Sequence, residues 1–246
     1  MLGALAAVLL AAVVITGGNL PPVLAGPADP SSAVTPAPPI APPAASPSAG
    51  PSSIPSSSLA VDVLATLEVK GRAPKTGYDR EEDFGTAWLD VDRNGCDTRN
   101  DILQRDLDGE LLSGPCKVLS GTLSDPFTGR TISFVRGEAT SSLVQIDHVV
   151  ALMDAWQKGA QQLTQEERIR FANDPLNLLA VDGSANSQKG DGDAATWLPA
   201  NRPFRCEYVA RQVAVKAAYR LWVTAAERDA IARVLDTCPG QTVPVP

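Results

Sequence analysis

NLLAVDGSANSQKGD, residues 177–191, is the stretch whose reading decides the fold. NLLAV (177–181) is a short β-prone run, and the turn after it opens one or two helical turns around Asn186 before Gly190 and Gly192 stop them. Upstream, Leu143 to Val150 is another strand candidate, carrying QIDHVV at 145–150. His148, in its middle, is the only histidine of the 246-residue chain. Asp147 supplies a carboxylate suited to a hard divalent cation, and His148 an imidazole suited to general base work. Consecutive residues of a strand point to opposite faces, so both serve one centre only if the strand ends or kinks there. Taken alone, Asp-His is a weak signal, and a lone histidine in an apolar run is more often a hydrogen-bonded core residue.

Outward from this pair, the domain reads as helices around short strands. Leu59, Val63, Leu64 and Leu67 fall at helical spacing before Gly71 and predict a helix over 58–70, followed by a loop around Lys75 to Asp83. Thr98 begins a capping-box-like T-x-x-D, and Ile102, Leu103 and Leu107 give the next helix its buried face. KVLSGTL and RTISFV, joined by SDPFTG, predict a β-hairpin over 117–135. Thr164 with Glu167 caps a helix that ends near Phe171, where Asn173, Asp174 and Pro175 break it. Phe204 to Trp222 is helical, with Tyr208, Val209, Val213, Ala217 and Leu221 on one side, and Thr224 with Glu227 caps a last helix to about Leu235. No internal repeat is present.

The two ends read differently. LGALAAVLLAAVVI (2–15) is apolar throughout but shorter than the ~20 residues of a membrane-spanning helix. With the small residues up to Ala25 it predicts a signal peptide over 1–25, although no Lys or Arg precedes the apolar run, which keeps an uncleaved anchor open. Residues 26–57 are Pro, Ala and Ser-rich and too poor in apolar surface to offset their ordering entropy, so they read as a disordered linker. The globular domain then runs over 58–240, with a tail at 241–246. The four cysteines are an even number behind an export signal, which favours disulfides between sequence neighbours, Cys96–Cys116 and Cys206–Cys238. Each such bridge contributes roughly 3–4 kcal/mol in the chain-entropy picture. A zinc site is disfavoured by the absence of a Cys-x-x-Cys pair. The net charge of −7 excludes a protein that holds nucleic acid by bulk electrostatics, but not one that binds phosphate locally.

A strand ending in Asp-His, a loop, a strand beginning with Asn, and a helix with Asn and Lys together resemble the ββα-metal unit of HNH nucleases. More specifically, residues 76–238 resemble HNH endonuclease family proteins with a GmrSD C-terminal type domain, as found in exported actinobacterial nucleases. The resemblance rests on GCDTRNDIL (95–103), DPFTG (125–129), IDHVVAL (146–152), AW (155–156) with GA (159–160), FANDPLNLLAVDGSANSQKGD (171–191) and WLP (197–199), in that order. It implies an α+β fold with a ββα-metal (HNH, His-Me finger) core embedded in helices and an additional β-hairpin. It also implies His148 as general base, Asp147 as metal ligand, Asn186 as second metal ligand and Asn177 as the residue that pins the intervening loop. The last histidine of the HNH name is Asn186 here, and its amide oxygen is also a hard ligand for Mg²⁺ or Mn²⁺. One divalent cation on Asp147 and neutral Asn186 keeps a net charge of about +1, which attracts phosphate.

The implied chemistry is phosphodiester hydrolysis by a water that His148 deprotonates, leaving 5'-phosphates. Lys189 and Arg99 are candidates for the substrate phosphate, with a solvated lysine and a structural arginine as the equally weighted alternatives. Asp191 and Asp193 read as turn formers, and Trp156, Trp197 and Trp222 as packing residues. The expectation is a secreted, monomeric endonuclease of low sequence specificity acting on nucleic acid, mainly DNA, with RNA as the alternative. Two rivals stand beside it: an idle cell-surface binding module and the nuclease component of a restriction system.

Overall fold

The computed structural model describes residues 58–244. The expected export segment (1–25) and linker (26–57) lie outside the described residues, as do the last two positions of the tail. In chain order the elements begin with helices α1 (Ala60–Thr66), α2 (Arg80–Phe84) and α3 (Thr98–Asp106), then strands β1 (Leu107–Ser113), β2 (Lys117–Ser124), β3 (Thr131–Val135) and β4 (Val144–His148). Helices α4 (Leu152–Trp156) and α5 (Gln165–Asn173), strand β5 (Leu178–Asp182), and helices α6 (Gly183–Lys189), α7 (Arg205–Ala218) and α8 (Ala225–Leu235) complete the chain. The fold is α+β, as expected.

β4 and β5 pair antiparallel, with Ile146 opposite Ala180, Asp147 opposite Leu179 and His148 opposite Leu178. Val144, Ile146, Leu178 and Ala180 share one face and pack with Ile102, Leu103, Val118, Leu123 and Phe134. Leu179 and Val181 face the opposite way, into the larger core of helices α1, α4, α5, α7 and α8. The edge of β5 turned away from β4 is closed by side chains. Asp106 Oδ2 accepts from Ala180 N at 2.8 Å, Asp125 Oδ1 from Asp182 N at 2.9 Å, and Arg105 donates to the Leu178 carbonyl at 2.7 Å. Such capping removes the backbone groups that another strand would otherwise pair with.

The hairpin over 117–135 forms as β2 and β3, and its turn is fixed by Asp125, whose carboxylate accepts from Phe127 N and Thr128 N. It belongs to a three-stranded antiparallel sheet, because β1 pairs with β2. That strand corrects the expectation that Leu107 ends a helix: α3 stops at Asp106, and Leu107 opens β1. After Leu107 every β1 side chain is exposed, so no apolar alternation announces it. The cap of α3 is Asp97, not Thr98; its carboxylate accepts from Asn100 N at 2.9 Å. Both expected disulfides are present, with Cα separations of 5.3 Å for Cys96–Cys116 and 6.4 Å for Cys206–Cys238.

The helical boundaries shift in understandable ways. α1 ends at Thr66 rather than near residue 70, because 67–70 turns extended to meet Val223. The loop expected at 75–83 holds α2, capped by Asp79. α5 runs to Asn173, and α7 ends at Ala218, which leaves Leu221 outside the helix. The capping boxes Thr164/Glu167 and Thr224/Glu227 are both formed. Residues 241–243 are not a free tail: Ala60 N donates to the Gln241 carbonyl, Val243 N to the Ser58 carbonyl, and Val243 is buried.

Beneath the helices lies a buried ionic cluster. Lys158 Nζ sits 2.7 Å from Asp154 Oδ1, 2.7 Å from Asp193 Oδ2 and 2.6 Å from Glu227 Oε2. Lys216 reaches Asp154 and Glu227, and Arg72 reaches Asp154 and Asp193. Three cations balance three anions, which is what makes their removal from water tolerable. Asp193 is thus a buried link between segments rather than a turn former only, and Lys216 is wholly buried.

Candidate functional site

The site grows from the end of β4. The strand stops at His148, and the next two backbone groups are taken over by Asn177: Val149 N donates to the Asn177 carbonyl and Val150 N to its Oδ1, each at 2.8 Å. Asn177 Nδ2 donates to the carbonyls of Val150 at 3.3 Å and Phe171 at 3.4 Å. The asparagine is wholly buried, so it fixes the bend after His148 through hydrogen bonds and reaches no open space.

A cavity of about 350 Å³ opens beside β4, lined by Gln145, Ile146, Asp147 and His148 together with Arg80, Trp88, Arg99 and Asn186. β4 pairs only with β5 among the described residues, so its other edge is unpaired. Four consecutive strand residues can share one cavity along such an edge, and this brings Asp147 and His148 together despite their opposite faces.

His148 is buried, and its Nε2 lies 2.8 Å from the Ala172 carbonyl oxygen. A carbonyl can only accept, so Nε2 carries the proton and Nδ1 keeps its lone pair. The Trp88 indole stacks on the imidazole at 6.2 Å between centroids and 12° between planes. Trp88 adopts a φ of 63°, a left-handed conformation uncommon for a bulky residue. Burial pushes the His148 imidazole down to about 3, the Ala172 hydrogen bond opposing and the Arg80 and Lys189 charges reinforcing it, so the ring is neutral at pH 7.

Asp147 is buried as well, and burial raises its carboxyl while Lys189 opposes the shift. Lys189 Nζ donates to Asp147 Oδ1 at 2.9 Å; Asp147 Oδ2 is buried with no hydrogen-bond partner. From α6, Asn186 Nδ2 donates to Gln145 Oε1 at 2.8 Å, which leaves the Asn186 amide oxygen as its acceptor. An unpaired buried carboxylate oxygen and a held amide beside one cavity are hard oxygen donors of the kind that Mg²⁺ or Mn²⁺ takes. Among the described residues no group of three or more His, Cys, Asp or Glu side chains is arranged to hold an ion, and Asp147 is the carboxylate among the residues named at the cavity.

The structure separates the two residues expected at a substrate phosphate. Arg99 lines the cavity while its guanidinium donates to the Val144 carbonyl at 3.2 Å. Lys189 does not face the cavity: its side chain has 0 % exposure, and its ammonium is committed to Asp147 and to the His148 carbonyl. Burial beneath β4 is the reason, since an ammonium there needs oxygen partners rather than a distant ligand. Sequence reasoning missed Gln145, Arg80 and Trp88. Gln145 had a signal, because it alternates with Asp147 along β4; Arg80 and Trp88 arrive from a distant segment with no periodicity to mark them.

Residues 97–234 match the family described as the C-terminal domain of GmrSD restriction endonucleases. An uncharacterized secreted protein of Arthroderma benhamiae is 37 % identical over 184 residues, covering 74 % of this chain and 86 % of that protein. That relative is fungal, and neither match bears on the expected likeness to exported actinobacterial proteins. No solved structure matches the chain.

Proposed function

This chain belongs to the family of the GmrSD restriction endonuclease C-terminal domain, and from that premise we propose that it is a metal-dependent endonuclease hydrolysing phosphodiester bonds in nucleic acid, mainly DNA. The observation that carries the reading is the meeting, in one cavity, of a neutral His148 anchored through Nε2 and an Asp147 carboxylate with an unpaired buried oxygen. The β4, β5 and α6 unit is then a ββα-metal core.

His148 is the general base. The Ala172 carbonyl holds the ring so that Nδ1 takes the proton of an attacking water, and the negative charge of a bound phosphodiester raises the imidazole toward the range where a base is effective. Asp147 and Asn186 would hold one Mg²⁺ or Mn²⁺, which when bound supplies electrostatic stabilisation of charge developing on phosphate oxygens. Lys189 orients Asp147, Asn177 holds the bend after His148, and Gln145 sets the Asn186 amide. Arg99 remains a phosphate contact at the cavity wall.

We place the activity outside the cell. The 37 % identical relative is described as secreted, and two disulfides suit an oxidising compartment. Among the described residues no helix is long and apolar enough to cross a membrane. The family's description names restriction endonucleases, and a restriction role is the second reading it favours.

Plasmid nicking with Mg²⁺ or Mn²⁺, and with EDTA, tests the proposal on modified and unmodified DNA. Metal-dependent nicking is expected, reduced by about 10²–10⁴-fold in His148→Ala with the fold kept. An idle binding module gives no EDTA-sensitive cleavage, and His148→Ala at wild-type rate removes the assigned base. Cleavage confined to modified DNA establishes the restriction reading.

A further inference from the structure

We propose that Arg80 is a substrate-binding residue that grips a phosphate of the nucleic acid in the His148 cavity. The inference rests on the hydrolytic reading of that cavity and extends it to a residue outside the matched 97–234 segment.

The argument begins with which cations are available. In this acidic chain most basic side chains around the cavity are already engaged. Lys189 is tied to Asp147, and Arg99, the phosphate contact proposed at the cavity wall, already spends part of its guanidinium on the Val144 carbonyl. Across the adjacent helices Arg168 bonds the carbonyls of Asp83 and Leu163. Arg80 is exposed and makes no ion pair or side-chain hydrogen bond among the described residues, although Glu81, Glu82 and Asp83 follow it directly. Asp79 spends its carboxylate on capping α2, and Asp83 Oδ2 accepts from Asp79 N. A guanidinium that pairs with none of the four acidic residues next to it in sequence is available to a ligand.

Its position says what. Arg80 lines the 350 Å³ cavity and also a narrow crevice that His148 borders as well, so it adjoins the histidine in both. It is presented from a fixed base. Phe84 of α2 is buried against Phe171, with 6.1 Å between centroids, and Gln165 and Arg168 of α5 donate to the carbonyls of Glu82 and Asp83. The same α5 supplies the Ala172 carbonyl that holds Nε2 of His148. The base and the guanidinium are therefore positioned by one packed pair of helices. A permanently charged, planar fork suits the paired non-bridging oxygens of a phosphodiester.

The test measures binding, so it does not depend on turnover. Fluorescence anisotropy of a labelled DNA 20-mer, without divalent ions, compares His148→Ala with His148→Ala/Arg80→Ala, His148→Ala/Arg80→Lys and His148→Ala/Arg233→Ala. Arg233 is an exposed helical arginine with no ion pair among the described residues, outside the cavity, and controls for net charge. Arg80→Ala is expected to weaken binding about tenfold or more and to lower the slope of log Kd against log salt by about 0.9, the loss of one phosphate contact. Arg80→Lys keeps the slope with reduced affinity, and Arg233→Ala stays within about threefold. Equal losses for Arg80→Ala and Arg233→Ala, or no measurable DNA binding by His148→Ala, overturn the inference. Wild-type nicking of plasmid reports separately on hydrolysis: nicking with no Arg80 effect removes only this inference, whereas the Arg80 effect without nicking keeps the phosphate grip and removes the nuclease.

Discussion

Lys189 Nζ stands 2.9 Å from Asp147 Oδ1 and 2.8 Å from the carbonyl oxygen of His148, at the point where α6 crosses the end of β4. One ammonium thus satisfies a buried carboxylate and the backbone of the neighbouring residue. Lys189→Met leaves Asp147 buried without its partner charge, a loss of about 3–5 kcal/mol in stability. Urea unfolding measures it. The salt dependence of DNA binding is expected to stay unchanged, since Lys189 reaches no phosphate; a shallower slope in Lys189→Met would return it to the substrate.

Asn177 carries the bend that follows His148. Asn177→Ala strands Val150 N, which had donated to Oδ1, and the carbonyls of Val150 and Phe171. Leaving buried backbone groups unsatisfied costs about 1–3 kcal/mol each, so a loss of at least about 3 kcal/mol is expected for the three. Faster amide exchange at Val150, with His148→Ala showing none, would place the effect in the bend. Unaltered exchange and stability would show that the loop holds itself.

How far the sequence carried follows from where each signal resides. Asp147, His148, Asn177 and Asn186 were picked out through the resemblance of IDHVVAL and NLLAVDGSANSQKGD to the ββα-metal unit, since Asp-His taken alone is a weak signal; the structure brings Asp147, His148 and Asn186 to one cavity and buries Asn177 in the bend beside it. Strand β1 was not legible, because after Leu107 its side chains all face solvent and only backbone pairing defines it. Arg80 and Trp88 were invisible for a different reason: their partner, His148, lies in a remote segment, and nothing about REEDF or AWL marks an approach to it. The buried ionic cluster was unreadable too, since Lys158 and Lys216 are residue types that ordinarily face water.

Gly183 fixes how closely α6 approaches the turn before β4. A Cβ at this position would stand 2.1 Å from the carbonyl oxygen of Ser142, a backbone atom that cannot swing aside. Gly183→Ala is expected to displace α6, and with it Asn186 from Gln145 and Lys189 from Asp147. The outcome to look for is a lowered Tm together with a loss of nicking. Wild-type Tm and activity in Gly183→Ala would show that the approach is looser than the geometry requires.

The ionic cluster sets the acid limit of stability. Burial opposes ionisation of Asp154, but Lys216, Lys158 and Arg72 outweigh it and hold the carboxyl down to about 2. Asp193 is shifted the same way: burial opposes, and Lys158 and Arg72 prevail. A carboxyl depressed on folding stabilises fully above its unfolded value, near 3.9, and that contribution disappears as pH falls through the folded value. For Asp154 alone this is on the order of 2 kcal/mol. Asp147 acts in the opposite sense, because burial raises its carboxyl, so its protonation relieves a cost as pH falls. The depressed group outnumbers it, with two members in the cluster. Measured in His148→Ala, which removes the fall that the buried neutral imidazole contributes from about pH 6.5 downward, urea unfolding free energies are therefore expected to change little between about pH 7 and 5 and to fall steeply between about pH 4 and 2. Stability that held level or rose across the lower window would show that the cluster contributes no net free energy as charged pairs.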